Sequence, residues 1–305
     1  MSAGSAERDS DRTFGFRSQH PAAVEVEALI LDYMPQGLYK DPHKEHKDRP
    51  VAQAIGVRRF TLIDGIPLSD VEVFQRVTLA RSVIRTIILP SEVKGQKFKK
   101  LTVLLACLPG PERMVYCYPM TPLDKWSLDS LRATIQEEGG WSLLVDSPRE
   151  LSVIAEEKGL SPTILIVPPV PLKYEDLTDI AKNNLLEAVK MIVKSDEKIY
   201  VEFFNIADAV NIRLHVLELF KGVGKKTLAN FLEKRKQKPF ESFEEVKKAL
   251  KIDPVAALAE KIVEEIRREA KYYVFIEPEN PEAQYLGYLD KVKKAYFSKR
   301  RGLGT

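Results

Sequence analysis

With 305 residues, 44% of them hydrophobic, the chain has the length for two domains and enough apolar content to give each a core. No apolar run approaches the roughly eighteen residues of a membrane helix, and the opening "MSAGSAERDSDRTFGFRSQHP" lacks the apolar stretch of a secretion signal, so a cytoplasmic protein with no membrane partner is expected. Net charge is only +3, but from Lys221 to Lys238 seven Lys or Arg face one acid, Glu233, and from Lys291 to Thr305 six face none. Those two segments carry +12 and the rest of the chain −9, a concentration that points to a polyanionic partner.

Residues 1–22 are polar and unpatterned, as in a loose tail. From Val24 the text is strand-like: "VEVEALILDYMPQG", "VAQAIG", "RRFTLIDGIP" and "VEVFQRVTLARSVIRTIILP" are rich in β-branched residues and separated by Gly, Pro and Asp, which suggests a small closed or half-closed barrel. The intervening "DPHKEHKDRP" offers His43, His46, Asp41 and Asp48, but their spacing fits no standard metal site and a polar connection is expected.

Residues 82 to about 165 continue in α/β style. "LTVLLAC" and "RMVYC" form a hairpin about "PGPE", and pairing about that turn sets Cys107 opposite Met114, so free buried thiols rather than a disulfide are expected. "DKWSLDSLRATIQEEGG" predicts a helix, "WSLLVD" a strand and "SPRELSVIAEEKGL" a helix begun at Ser147 and Pro148. The prolines of "TILIVPPVPL" predict an edge strand or connector. Trp126 and Trp141 are expected to pack rather than stack on bases.

From Tyr174 onward the pattern is helical. Leu185, Val189, Ile192 and Val193 fall on one stripe of a core-facing helix. "NIRLHVLELF" and "KTLANFLEKRK" predict two helices joined by "KGVGKK", with His215 packed or on the surface of the first; "SFEEVKKAL" and "DPVAALAEKIVEEIRREA" predict a second pair, and "YYVFIEP" a terminal strand.

The loop "KGVGKK" raises the question of chemistry. A Walker A loop fails here: Lys226 stands where a hydroxyl must bind magnesium, Leu219 where the first Gly is needed, and the preceding segment has helical period. A backbone-gripping loop fits. Val223 points into the hairpin core, Gly222 and Gly224 take angles closed to other residues, and the amides at the start of the following helix face outward with the positive end of the dipole behind them. One phosphate then sits on Gly224 to Lys226, with Lys221, Lys225 and Lys226 adding charge and the Thr227 hydroxyl a donor.

These residues, "LELFKGVGKKTLANFLEKR", resemble the helix-hairpin-helix motif of non-sequence-specific nucleic-acid-binding proteins. Together with "YEDLTDIAKNNLLEAVKMIVKSDEKIYVEFFNIA", "EKRKQKPFESFEEV", "KYYVFIEP" and the opening "LILDYMPQG" and "RPVAQAIGVRRFTLIDGIP", the chain is similar to an archaeal family of uncharacterised proteins that joins an OB-like barrel to a helix-hairpin-helix domain. The resemblance covers about 24 to 81 and 172 to 277. It implies an α+β fold: tail 1–22, OB-like β-barrel 23–171 with an α/β segment inserted at about 82–165, helix-hairpin-helix domain 172–279, and a basic C-terminal extension 280–305 carrying Lys293 and Lys294.

The function so implied is binding of RNA, or of DNA, by its phosphate backbone, in connection with translation and without catalysis or cofactor. An open barrel face would add Arg58, Arg59, Phe60 and Tyr33. One alternative is a nucleic-acid-processing enzyme of the helix-hairpin-helix type, but "KQKPFESFEEV" lacks the turn that holds a glycosylase aspartate, and no catalytic constellation occurs elsewhere. Another is an assembly protein of the ribosome or transcription machinery.

Overall fold

The computed structural model describes residues 25–38, 49–90, 98–110, 114–137, 142–168 and 170–302. The expected tail, the histidine-bearing loop and Trp141 lie outside them. The chain divides into two units between Lys173 and Tyr174.

Unit 1 is built on β1 (Glu27–Met34), β2 (Val51–Gly56), β3 (Leu62–Pro67), β4 (Arg76–Pro90), β5 (Phe98–Pro109), β6 (Val115–Pro119), α1 (Lys125–Glu137), β7 (Ser142–Leu144), α2 (Pro148–Glu157) and β8 (Ile164–Val167). The strands form one sheet in the order β1-β2-β3-β8-β4-β5-β6-β7, and β1 also pairs with β4, so β1-β2-β3-β8-β4 pair in a cycle. Alternate residues make its core: Ala28 and Ile30, Ala52 and Ala54, Val77 and Leu79, Leu165 and Val167, as the two-residue period of a strand requires. A register shift between Ile30 and Asp32 bends β1.

Residues 82–165 continue the same sheet. Arg76–Arg81 of β4 pairs with β1 and β8, while Arg81–Pro90 pairs with β5. Because β8 runs parallel to β4, a long crossover must join them, and β5 through α2 supply it. Leu131 and Ile135 of α1 pack on Ile87, Leu89, Val103 and Leu105. Leu151, Ile154 and Ala155 of α2 pack on Ala80, Ala106 and Leu108.

Three expectations for unit 1 are corrected. "ILIV" is a fully buried inner strand between β3 and β4; its prolines start at Pro168, past the last ladder residue, and remove no donor from it. Cys107 and Cys117 form a disulfide with Cα atoms 4.1 Å apart. The hairpin closes at Pro109 and Val115, not around "PGPE", which shifts the register by three and sets the two cysteines opposite each other. Trp126 is 51% exposed in the first turn of α1 rather than packed.

Unit 2 contains α3 (Asp179–Ser195), α4 (Glu197–Ile206), β9 (Ala209–Asn211), β10 (Leu214–His215), a 3-10 turn (Val216–Leu219), α5 (Lys225–Gln237), α6 (Phe243–Leu250), α7 (Pro254–Ile266), β11 (Tyr272–Tyr273), β12 (Gln284–Tyr285) and α8 (Tyr288–Gly302). The apolar stripe of α3 is buried as its period predicts. Side chains start the helices: Thr178 accepts the Ala181 amide, Ser242 that of Glu245 and Asp253 that of Ala256. Phe203 is the hub of an aromatic core, with Phe204, Phe220, Phe275 and Tyr288 around it at 5.1 to 5.5 Å. Glu265 accepts the amides of Val274, Phe275 and Ile276 and so fixes the segment after α7. Burial pushes its carboxyl up to about 7, against the pull of those three donors.

Here too the sequence expectations need revision. "NIRLHVLELF" is a short β9–β10 hairpin followed by a four-residue 3-10 turn, not a helix. His215 Nδ1 accepts the Leu217 amide while Glu218 accepts that of His215, a reciprocal cap that starts the turn at Val216. "YYVFIEP" contributes only a two-residue strand, parallel to β12. The C-terminal extension is part of the unit: Leu289 and Val292 of α8 are buried, Tyr288 accepts the Asp208 amide through its hydroxyl, and Lys299 donates to the Glu202 carboxylate at 2.6 Å.

Candidate nucleic-acid interface

The glycine loop runs from the end of the 3-10 turn to the start of α5. Phe220 and Val223 are buried, with the Val223 amide donating to the Phe220 carbonyl. Gly222 has φ +88, the left-handed region, and an added Cβ would come 3.2 Å from Ile252 Cγ2. Gly224 does not need a glycine conformation: its φ of −94 and ψ of 167 suit any residue, and nothing lies within 4 Å of where its Cβ would be. That corrects the expectation for Gly224 and gives it another meaning.

Gly224 is the N-cap of α5, and no side chain caps the helix. The first amide bonded into it is Leu228, to the Gly224 carbonyl; the amides of Gly224, Lys225, Lys226 and Thr227 meet no acceptor among the described residues. A Ser or Asp fits at 224 and would satisfy one of them. Glycine leaves them open.

The geometry divides the basic run of Lys221–Lys238 in two. Lys234, Arg235 and Lys236 occupy the last turn of α5, where the dipole favours cations. There Arg235 donates to the carbonyls of Phe204 and Ala207 at 3.1 and 2.5 Å, Lys236 pairs with Glu233, and Lys238 just beyond pairs with Glu241. Arg235, Lys236 and Lys238 thus have partners within the fold, and Lys234 is exposed. Lys221, Lys225 and Lys226 are exposed at the opposite end, where no acid stands in the first turn and the dipole disfavours cations. Lys225 and Lys226, in the first turn, each cost roughly 0.3–1 kcal/mol there, a cost that an anion at this end would offset.

The other side of the loop has opposite electrostatics. An open pocket of about 700 Å³ lies between the loop and α7, lined by Glu218, Glu260 and Glu264 as well as Lys221 and Lys261, and the buried Lys261 ammonium is 3.1 Å from Glu264. The basic side of the loop is therefore that of Lys225 and Lys226. His215, near the far end of α5, is buried, and its imidazole is held below its usual pKa by burial first and by Arg235 second. No cluster of three or more metal-ligating side chains occurs among the described residues.

The remaining candidates are dispersed. Arg58 and Arg59 lie in unit 1, in the turn between β2 and β3, where their amides donate to the Glu25 carboxylate at 2.8 and 2.6 Å. Phe60 is 2% exposed, a core residue. The Tyr33 hydroxyl donates to Asp70 at 2.7 Å, which raises its pKa. Lys293 and Lys294 lie on α8, half-buried and exposed respectively. Among the exposed apolar side chains of unit 2 that sequence reasoning missed are Ile212, 98% exposed at the tip of the β9–β10 hairpin, and Phe297, 46% exposed on α8. A non-polar residue inside a polar run, "NIR" and "YFSKRR", is the only signal either one leaves.

The chain is similar to two archaeal proteins. Uncharacterized protein MJ0038 of Methanocaldococcus jannaschii is 26% identical over 281 residues, which cover 90% of this chain and 91% of that one. The crystal structure of Af1531 from Archaeoglobus fulgidus is 26% identical, with 83% of this chain and 100% of that one covered at a TM-score of 0.48. The model of one family matches residues 24–277, and the chain belongs to that family, described as a protein of unknown function, DUF655.

Proposed function

We propose that the protein binds nucleic acid without catalysis, gripping one sugar-phosphate chain at the Gly222–Thr227 loop without reading its sequence. The observation that carries this reading is the uncapped start of α5: four amides without acceptors among the described residues, beside three exposed lysines placed against the helix dipole. A glycine N-cap with free space around it supports the same reading. In these terms the 3-10 turn, loop and α5 act as a helix-hairpin-helix whose first helix is reduced to one turn. The cycle β1-β2-β3-β8-β4 supports an OB-like barrel in unit 1. RNA ranks before DNA, and translation is the setting, on the family resemblance of the sequence.

The test is an anisotropy series with single-stranded RNA, duplex RNA and duplex DNA at two salt concentrations. Wild type is expected to bind with strong salt dependence and little sequence preference. Lys225→Glu/Lys226→Glu is expected to lose that binding with a thermal transition no lower than that of wild type, since acids suit the start of a helix. Equal binding by the two proteins would dismiss the loop as the contact.

A further inference from the structure

The outer face of α8 is explained neither by the core of unit 2 nor by the glycine loop. The helix turns about 100° per residue. Val292 is buried and Lys299 reaches the Glu202 carboxylate, so these positions mark the side packed against α4. Lys294 stands about 200° from Val292 and Phe297 about 140°, both on the side turned to solvent. Phe297 is 46% exposed there, and its ring meets that of Tyr296 in a T-shaped contact at 5.4 Å. Nearly half of this aromatic side chain is open to water, where a helix face otherwise takes polar residues.

Around the ring positive charge predominates, with one acid at the start of the same face. Lys294, three residues before Phe297, is its neighbour on the helix surface. Lys291 lies one turn further back, its ammonium 4.9 Å over the Tyr288 ring. The one acid of α8, the exposed Asp290, stands about 160° from Val292 on this same face, four residues before Lys294 and two turns before Phe297. An open aromatic face beside cations matches an unpaired base and its flanking phosphates. We propose that the outer face of α8 is a second contact for nucleic acid, with Phe297 stacking on one unpaired base and Lys291 and Lys294 meeting adjacent phosphates. The partner is therefore a single-stranded segment, since the bases of a duplex present no free face. An anionic membrane is the poorer fit: a surface helix inserts its apolar side into lipid, and here that side is already packed against α4. The inference rests on the protein being a nucleic-acid binder, but not on the glycine loop being the grip.

The experiment is anisotropy on the full chain with a labelled twelve-nucleotide single-stranded RNA and the matching duplex. Phe297→Ala is expected to weaken single-strand binding about tenfold, with the duplex affinity and the salt slope unchanged. Phe297→Trp is expected to restore affinity and to show fluorescence quenching on binding. Lys294→Gln is expected to reduce the salt slope by roughly 0.7. Equal single-strand affinity in wild type and Phe297→Ala would overturn the proposal. So would binding to anionic phospholipid vesicles that Phe297→Ala loses while RNA affinity stays the same. A loss in Lys225→Glu/Lys226→Glu with an unchanged Phe297→Ala would refute the stacking and keep the loop; the reverse pattern would keep the stacking and refute the loop. No oligonucleotide binding by wild type would refute both.

Discussion

Gly224→Asp is the substitution on which stability and binding should part. The site imposes no steric cost, because the backbone is at φ −94 and ψ 167 and the position of the new Cβ is open. An aspartate there accepts one of the free amides of the first turn, worth a few tenths of a kcal/mol over glycine. It also brings a negative charge to the positive end of the helix, worth about 0.3–1 kcal/mol. Together these raise stability by about 1 kcal/mol, or ~2–4 °C in Tm. For a phosphate the same carboxylate is an obstacle: it occupies the donor and repels the ligand by about 4 kcal/mol at 4 Å with an effective dielectric of 20. With screening by salt, a loss of roughly 30-fold to 1,000-fold in affinity is expected. The assay pairs a thermal melt with anisotropy on the same preparation. A variant that melts higher and binds as tightly as wild type would show that the amides do not hold the ligand, and the reasoning would fail.

Acid sensitivity centres on His215. In the unfolded chain its imidazole protonates near pH 6.5. In the fold, burial and the nearby Arg235 lower the pKa, while Asp208 and Glu218 oppose that shift. Stability from this group is therefore complete above about pH 6.5 and is lost as pH falls toward the folded pKa, with a slope of at most about 1.4 kcal/mol per pH unit. His215→Asn keeps an acceptor for the Leu217 amide and does not titrate, so denaturant melts from pH 7.5 to 5.5 are expected to show a flatter acid limb in the variant. The same acid slope in both proteins would assign the sensitivity to another group.

The sequence was most legible where structure is local. The stripe Leu185, Val189, Ile192 and Val193 is a property of one helix, and its burial follows from period alone. The start of α2 at Ser147 and Pro148 is equally local. Long-range pairing was not legible. Nothing in "TILIVPP" says that the strand will lie between β3 and β4, since both partners are remote in sequence. The disulfide was missed because the turn was placed on its prolines, whereas the ladder between β5 and β6 begins at Pro109 and Val115. A polar cap misled the reading of "NIRLHVLELF": its apolar spacing is helical, but the reciprocal bonds of His215 and Glu218 delay the turn to Val216. In the candidate site Gly222 was legible because its φ of +88 requires that residue. The purpose of Gly224 was not, since an uncapped helix start is visible only once the space around it is known. The lysines and arginines of "KVKKAYFSKRR" likewise concealed the buried side of α8, which Leu289 and Val292 supply.

The central claim concerns four backbone amides, and an amide-resolved NMR titration of the labelled full chain with a short single-stranded RNA reads them directly. The account predicts that Gly224, Lys225, Lys226 and Thr227 show the largest shifts among the amides of unit 2 outside α8, and that raising salt reverses them. RNA that binds while those four resonances stay in place would contradict it.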